Sequence, residues 1–252
     1  MNWKIQNFFP LLPAFRHKEI FSGDESPPWM ALDRLETAIR NFIQSDNGGA
    51  SSGECPEGIS LQEGMLLVNK ILRLPAPLIL KDLDIFIGQG TLLEPTAIIK
   101  SPAVIGDHCE IRQGAYLRGN VLVGDHCTLG HVTEIKNSIM MNHSDAGHFA
   151  YIGDSVIGSH VNLGAGTKLA NLQFRTKKEK EEGRKGGTIR ISAGKEILDT
   201  SRRKLGAVIG DYGELGCNSV TSPGALLEEG CWVYPNATVP KGVYPSGSKI
   251  TR

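Results

Sequence analysis

From Ile85 to Met141 the chain reads IFIGQG TLLEPT AIIKSP AVIGDH CEIRQG AYLRGN VLVGDH CTLGHV TEIKNS IMM when written in blocks of six. A large aliphatic residue stands third in every block: Ile87, Leu93, Ile99, Ile105, Ile111, Leu117, Val123, Leu129, Ile135 and Met141. The first position holds a small or β-branched residue: Ile85, Thr91, Ala97, Ala103, Cys109, Ala115, Val121, Cys127, Thr133 and Ile139. A period of six fits neither a helix nor the plain alternation of a half-buried strand. It fits short strands whose first and third residues point inward, each followed by a turn that re-aims the chain. Three such units close a triangular coil of eighteen residues, and each strand then pairs with its equivalent one coil on. The near-duplicates Gly106-Asp107-His108-Cys109 and Gly124-Asp125-His126-Cys127 are eighteen apart, as that stacking requires.

Beyond Met141 the spacing stumbles. Ala146-Gly147, Ile152-Gly153, Ile157-Gly158 and Leu163-Gly164 alternate steps of five and six. Departures from a regular pattern are where function is expected, and these collect His143, His148, Tyr151, Asn162 and the Gly164-Ala165-Gly166 turn. From Gln173 to Arg203 the repeat is interrupted. Lys177, Lys178, Lys180, Arg184 and Lys185 interleave there with Glu179, Glu181 and Glu182, and Thr188-Ile189-Arg190-Ile191 has the pattern of a hairpin strand. Two readings stay open for this insertion, a solvated projecting loop or an anion-facing lid, since long insertions in compact domains are often functional. The repeat resumes at Ile209, Leu215, Leu227, Val233 and Val239, with Ala207, Ser219, Ala225, Cys231 and Ala237 as inward partners. Only Thr221 fills an aliphatic slot poorly.

Upstream, residues 1–75 form a helical or irregular extension ahead of a β-helix over 76–252, with the inserted loop at 173–203. Trp3, Phe8, Phe9 and Phe15 call for a surface to pack on. Ser26-Pro27-Pro28 has the form of a helix start, after which Trp29, Leu32, Leu35, Ile39 and Phe42 share one helical face as far as Gln44. Asn47 to Gly58 reads as a loop. Its Gly48-Gly49-Ala50-Ser51-Ser52-Gly53 run lacks the Gly-Lys-Ser/Thr ending and preceding strand of a phosphate cradle. A short apolar segment, Met65 to Ile71, leads into Leu74-Pro75-Ala76-Pro77 and the repeat.

The 252 residues carry 27 basic and 27 acidic side chains, so no global field invites nucleic acid or an anionic membrane. The five cysteines follow neither a metal-binding spacing nor a secreted disulfide framework. Cys109, Cys127 and Cys231 occupy the small inward slot of the repeat, which suits packed thiols in a reducing compartment. Residues 1–21 lack a signal-type apolar core, and no twenty-residue apolar run occurs. A soluble cytoplasmic protein without a bound metal is the expectation.

Glu134-Ile135-Lys136-Asn137, Gly147-His148-Phe149-Ala150-Tyr151-Ile152-Gly153-Asp154, Val161-Asn162-Leu163-Gly164-Ala165-Gly166-Thr167 and then Asn171 together resemble a known family. It is the acetyltransferase half of the bifunctional N-acetylglucosamine-1-phosphate uridyltransferase/glucosamine-1-phosphate acetyltransferase, matched over about residues 80–172 and 204–245. The resemblance implies a mainly β fold, the left-handed parallel β-helix, a homotrimer, acetyl-CoA as co-substrate and sites between protomers. It implies His148 as general base, and Arg118, Lys136 and Lys204 as sugar-phosphate binders. It further implies Tyr151 and Asn162 as substrate contacts, Asn171 beside the amine, and Ala165 as the backbone N–H facing the acetyl carbonyl.

The chemistry asks for these types. An amine must lose a proton to attack a thioester, and histidine is suited to accept it. A tetrahedral intermediate needs a backbone donor, which a Gly-Ala-Gly turn presents without obstruction. A sugar phosphate needs cations, and arginine offers a fork. Three departures stand out: Leu172 in place of a tyrosine, Cys217 in place of a serine on the cofactor side, and the foreign insertion. Residues 1–75 hold no Gly-rich nucleotide loop of the uridyltransferase half. Arg202-Arg203-Lys204-Leu205-Gly206 is similar to a segment of stand-alone or archaeal-type sugar-1-phosphate nucleotidylyltransferase relatives. Three functions are therefore weighed: acetyl transfer to an amino-sugar 1-phosphate, acyl transfer to a nucleotide-linked amino sugar, and a non-catalytic β-helix that partners a separate nucleotidylyltransferase.

Overall fold

The first and third residues of each hexad turn inward and the second turns out, so that every hexad becomes a strand of two or three residues with its own backbone to satisfy. The partner is the same hexad one coil away. Ala103–Ile105 pairs in parallel with Ile85–Ile87 on one side and Val121–Val123 on the other, each eighteen residues distant. Repeated along the chain this gives a mainly β protein, a parallel β-helix of three nine-stranded sheets, consistent with the left-handed form that the resemblance implies. The computed structural model describes residues 4–21, 26–45, 55–193 and 196–251.

The interior of the prism is the expected ladder of aliphatic and small residues, with Cys109, Cys127 and Cys231 buried in it and Thr221 buried at 0% exposure with its hydroxyl unpartnered among the described residues. At the corners the backbone must reverse within two or three residues, and it does so through left-handed conformations. His108, His126, His143 and His160 all take φ between 55° and 59°, a region in which His, Asn and Asp are enriched among non-glycine residues. Their rings stack in a column that ends on Tyr212, with centroids 5.2, 4.8, 4.7 and 5.2 Å apart. His143, grouped above with the functional irregularity, is thus a member of this column.

The repeat shortens one hexad earlier than expected. Val121 aligns with Ser138 and Val123 with Met140, seventeen residues on rather than eighteen. Met140, not Met141, therefore enters the interior, while Ile139 and Met141 join the apolar cluster outside the sheet. The cause is local: two residues, Lys136-Asn137, turn the corner where the preceding coil uses three, Arg118-Gly119-Asn120. The next coil repeats the short turn with Gly153-Asp154, and Tyr151 again lies seventeen residues from its partners Glu134 and Lys168.

One outer face of the prism is covered by the chain itself. Phe86, Val104, Leu122, Ile139, Val156, Val208 and Leu226 project from it and pack against Phe8, Phe9, Phe15, Trp29, Leu32, Leu35, Ile39 and Ile43. The helix that supplies the last four runs Ala31–Gln44, and a 3-10 turn over Pro28–Met30 precedes it, so Ser26 does not cap it as its position suggested. Phe42 is only half-buried, and Ile43 takes the core position. The segment before the helix follows the histidine corner: Arg16 pairs with Asp107 and Asp125, and Asp211 accepts the Leu11 N–H at 2.7 Å.

Between helix and prism, Ile59–Gln62 and Met65–Val68 form a hairpin, and with Leu72–Arg73 and Leu78–Leu80 they add antiparallel strands at the first coil. Trp3 and the Gly48–Gly53 run lie outside the described residues. No helix of the described residues is long and apolar enough to cross a membrane.

The insertion is a projecting loop only in its first half. A short helix, Lys177–Glu181, is closed by a capping box between Thr176 and Glu179. The antiparallel hairpin Arg190–Ala193 and Glu196–Asp199 then folds back, burying Ile189 and Ile191 completely in the outer apolar cluster. Two β-branched residues, one in the strand and one just before it, lay claim to that surface, which a solvated loop would not.

His17 packs edge-on against Phe42, centroids 4.6 Å apart, and against Phe15. Burial, reinforced by the charge of Arg16, pushes its imidazole down to about 4. The unfolded chain takes up this proton near pH 6.5 and the folded chain only near 4, so stability is intact above that window and falls across it. A loss of about 2 kcal/mol between pH 6.5 and 4 is expected, discounted for the partly exposed ring. Thermal or urea unfolding of the parent and His17→Gln proteins across that range checks it. Parallel pH profiles of the two would contradict it.

Candidate active site

The shortened coils stack one short turn on the next, and their polar side chains meet. Asn120, Asn137, Asp154 and Asn171 stand seventeen residues apart at the same corner of four successive coils. Asn120 donates to the Asn137 carboxamide oxygen. Asn137 Nδ2 donates to Asp154 Oδ1 at 2.7 Å, and Asn171 Nδ2 donates to Asp154 Oδ2. Lys136 Nζ reaches the same Oδ2 at 3.1 Å. The Asp154 side chain is only 6% exposed and that of Lys136 19%. A carboxylate so far from water is stable only because an ammonium and two amides surround it.

Tyr151 completes the group, its hydroxyl donating to Asn171 Oδ1 at 3.3 Å. It lies across Gly153, where a Cβ would stand 2.7 Å from the phenol oxygen and 2.8 Å from Asn171 Nδ2. The absence of a side chain at 153 is what lets these two meet. Burial, then the charges of Glu134 and Asp154, raises the Tyr151 phenol. Toward the start of the same face Arg118 pairs with Glu134 at 2.6 Å and remains accessible.

The chain returning from the insertion is stitched to this corner. Leu205 N–H donates to the Asn171 carbonyl at 3.1 Å and Gly206 N–H to the Asp154 carbonyl at 2.8 Å. Lys204, just before, bridges Leu172 through its backbone and is exposed.

The other expected residues occupy the next corner. His148, Ala165 and Cys217 are equivalent positions of three consecutive coils: Gly166 N–H donates to the His148 carbonyl, Asn218 N–H to that of Ala165 and Asn236 N–H to that of Cys217, at 2.8–2.9 Å. The His148 ring is exposed. Ala165, half-buried, has an N–H that meets no acceptor among the described residues. Asn162, also exposed, donates to Glu214 at 3.1 Å. A shallow groove of about 450 Å³ runs beside them, lined by Asn162, Gly164, Cys217, Trp232, Tyr234 and Pro235.

The structure thus gathers Arg118, Lys136, Tyr151 and Asn171 on one face and edge, with Lys204 beside them. His148, Asn162, Ala165 and Cys217 lie one corner away. It adds Asp154, Asn137 and Asn120, which sequence reasoning gave no role, although their seventeen-residue interval is visible once the coil is known to shorten. Among the described residues no group of three or more His, Cys, Asp or Glu is placed to hold a metal.

Fold and site together define a hexapeptide-repeat β-helix protein with a polar site at one corner, set beside an insertion. On the fold, comparison with known proteins agrees. Residues 99–180 match the family model described as the GMPPB C-terminal domain. The chain is 32% identical over 220 residues to a bifunctional sugar-1-phosphate nucleotidylyltransferase/acetyltransferase of Sulfurisphaera tokodaii, covering 87% of this chain and 46% of that protein. It is 28% identical over 129 residues to the bifunctional protein GlmU of Methanocaldococcus jannaschii (51% of this chain, 29% of the relative). Against GlmU of an Azoarcus species the figure is 36% over 118 residues (45% and 25%). The chain spans less than half the length of these relatives.

Asp154→Ala leaves Lys136 half-buried without a counter-charge and removes the acceptor of two amides. Loss of one partner from such a pair costs about 3 kcal/mol. A clear fall in the unfolding midpoint is expected by circular dichroism, and a change below about 1 kcal/mol would show that the ladder does not stabilise the coils.

Proposed function

We propose that the chain transfers an acetyl group from acetyl-CoA to the amine of an amino-sugar 1-phosphate such as glucosamine 1-phosphate, in nucleotide-sugar or cell-envelope precursor synthesis. The observation that carries this reading is the cluster of Lys136, Tyr151 and Asn171 on the shortened coils, with Arg118 on the coil before them, next to the corner of His148 and Ala165. A structural prism has no need of that combination.

In this reading Arg118 exchanges Glu134 for the sugar phosphate, while Lys136 stays on Asp154 and supplies charge from behind. Asn171, fixed by Tyr151 and Asp154, orients the sugar near its amine. His148 accepts the amine proton as nitrogen attacks the thioester carbon, the free Ala165 N–H stabilises the oxyanion, and the carbon–sulfur bond then breaks to release the thiol of CoA. The groove past Cys217 suits the donor's arm. Because the base and the sugar-binding groups lie at different corners of one prism, a site assembled between the protomers of a homotrimer accounts for both. Action in the cytoplasm belongs to the same reading, in keeping with the packed thiols Cys109, Cys127 and Cys231.

A second reading rests on the match to the GMPPB C-terminal domain model: a non-catalytic β-helix partner of a separate sugar-1-phosphate nucleotidylyltransferase. A nucleotide-linked amino sugar is the alternative acceptor. Thiol release from acetyl-CoA against a panel of amino-sugar phosphates and nucleotide-linked amino sugars separates the three. Silence with every acceptor, joined to a stable complex with a nucleotidylyltransferase, would favour the partner.

His148→Ala should lower kcat about a hundredfold or more with the fold intact; an unchanged kcat refutes the base assignment. Arg118→Ala should act mainly on KM for the sugar phosphate, because the phosphate charge is the same in ground and transition states. An equal loss with a phosphate-free amino sugar would contradict its role.

A further inference from the structure

Where the repeat breaks, the inserted segment encloses a polar cavity of about 210 Å³ that no role above employs. Arg175, Lys185 and Arg203 line it from three separate stretches of the insertion, against a single carboxylate, Glu179. That carboxylate is committed. Glu179 accepts the Thr176 N–H and hydroxyl, both at 2.8 Å, and these bonds hold its carboxyl below the usual range. Lys185 and Arg203 have no carboxylate partner among the described residues, and Arg175 gives one N–H to the Arg184 carbonyl at 3.5 Å. Gly186, at φ 73°, and Gly187 line the same cavity, so its floor there is side-chain-free backbone. Three cations facing one engaged carboxylate leave uncompensated positive charge, the condition under which a multiply charged anion is drawn in.

The cavity is not isolated. It shares Leu172, Gln173 and Phe174 with an adjoining groove of about 610 Å³ that also runs past Ala170, Pro223 and Pro240. Gln173 spans the boundary, donating to the Thr188 carbonyl and accepting from Lys241, both at 3.4 Å. Phe174 is wholly exposed. An uncovered aromatic ring among prolines next to a cationic cavity matches a ligand with a planar face at one end and clustered negative charge at the other.

We propose that the insertion carries a nucleoside diphosphate site, with the diphosphate held by Arg175, Lys185 and Arg203 and the base laid on Phe174 in the groove. The site begins one residue from Asn171, so its ligand can belong either to the nucleotide end of the acyl donor or to a nucleotide-linked amino-sugar acceptor. Binding itself requires no turnover and stands apart from the acetyl-transfer reading.

Calorimetric titration of the full chain with UDP, ADP, pyrophosphate and inorganic phosphate tests the site. The nucleotides should bind most tightly and inorganic phosphate least. Lys185→Gln and Arg203→Gln should each weaken UDP about tenfold, with the unfolding temperature unchanged because both side chains are exposed. Phe174→Ser should weaken UDP and leave pyrophosphate unaffected. Displacement of bound UDP by CoA assigns the site to the donor, and displacement by a UDP-linked amino sugar assigns it to the acceptor. No binding of either nucleotide, or UDP binding unaltered in the doubly substituted Lys185→Gln/Arg203→Gln protein, would overturn the proposal. Pyrophosphate binding as tightly as UDP would overturn the placement of the base. Tight nucleotide binding by a protein that releases no thiol would refute the acetyl-transfer reading alone.

Discussion

Every coil of this prism has to bring its N–H groups opposite the carbonyls of the coil before it, because the strands are too short to pair with anything else. A residue can be dropped from a coil only at a corner, and the corner below must then be matched by the one above. Lys136-Asn137 and Gly153-Asp154 meet that condition together. Their loss of one residue apiece draws the side chains of neighbouring turns into line, so that Asn120, Asn137, Asp154 and Asn171 touch in series. The polar ladder is thus a product of backbone register, and the buried Asp154 carboxylate is tolerated because register brings donors to it from both directions.

The hexad pattern made the fold legible because inward positions recur without regard to distant contacts. Nine of the ten aliphatic positions up to Ile135 fall in the interior as read, and the tenth fails by one residue. Met140 and Met141 are both apolar and adjacent, so nothing in their chemistry marks which of them faces in; the missing corner residue decides it. The same adjacency hides Ile43 behind Phe42 in the N-terminal helix.

Site residues were legible to the extent that they matched the family's spacing of side chains: Lys136, Tyr151 and Asn171 come together in one hydrogen-bonded group. Asp154 escaped because an acid after glycine is common at turns, and its role depends on three partners from other coils. The insertion shows the opposite limit. Its charges describe its exposed half well, whereas Ile189 and Ile191 dock on a surface that also receives the N-terminal helix, a long-range match that no local pattern expresses.

That shared surface has a further geometric consequence. Of the prism's three flanks, one is already upholstered by the chain's own arm and hairpin, and among the described residues neither of the other two is covered in that way. A neighbouring body of any size can lie only along those two, and the ridge at which they join is the one bearing His148, Ala165 and Cys217. The arm therefore acts as a fender: by occupying one flank it leaves approach open to the ridge where the His148 imidazole stands exposed.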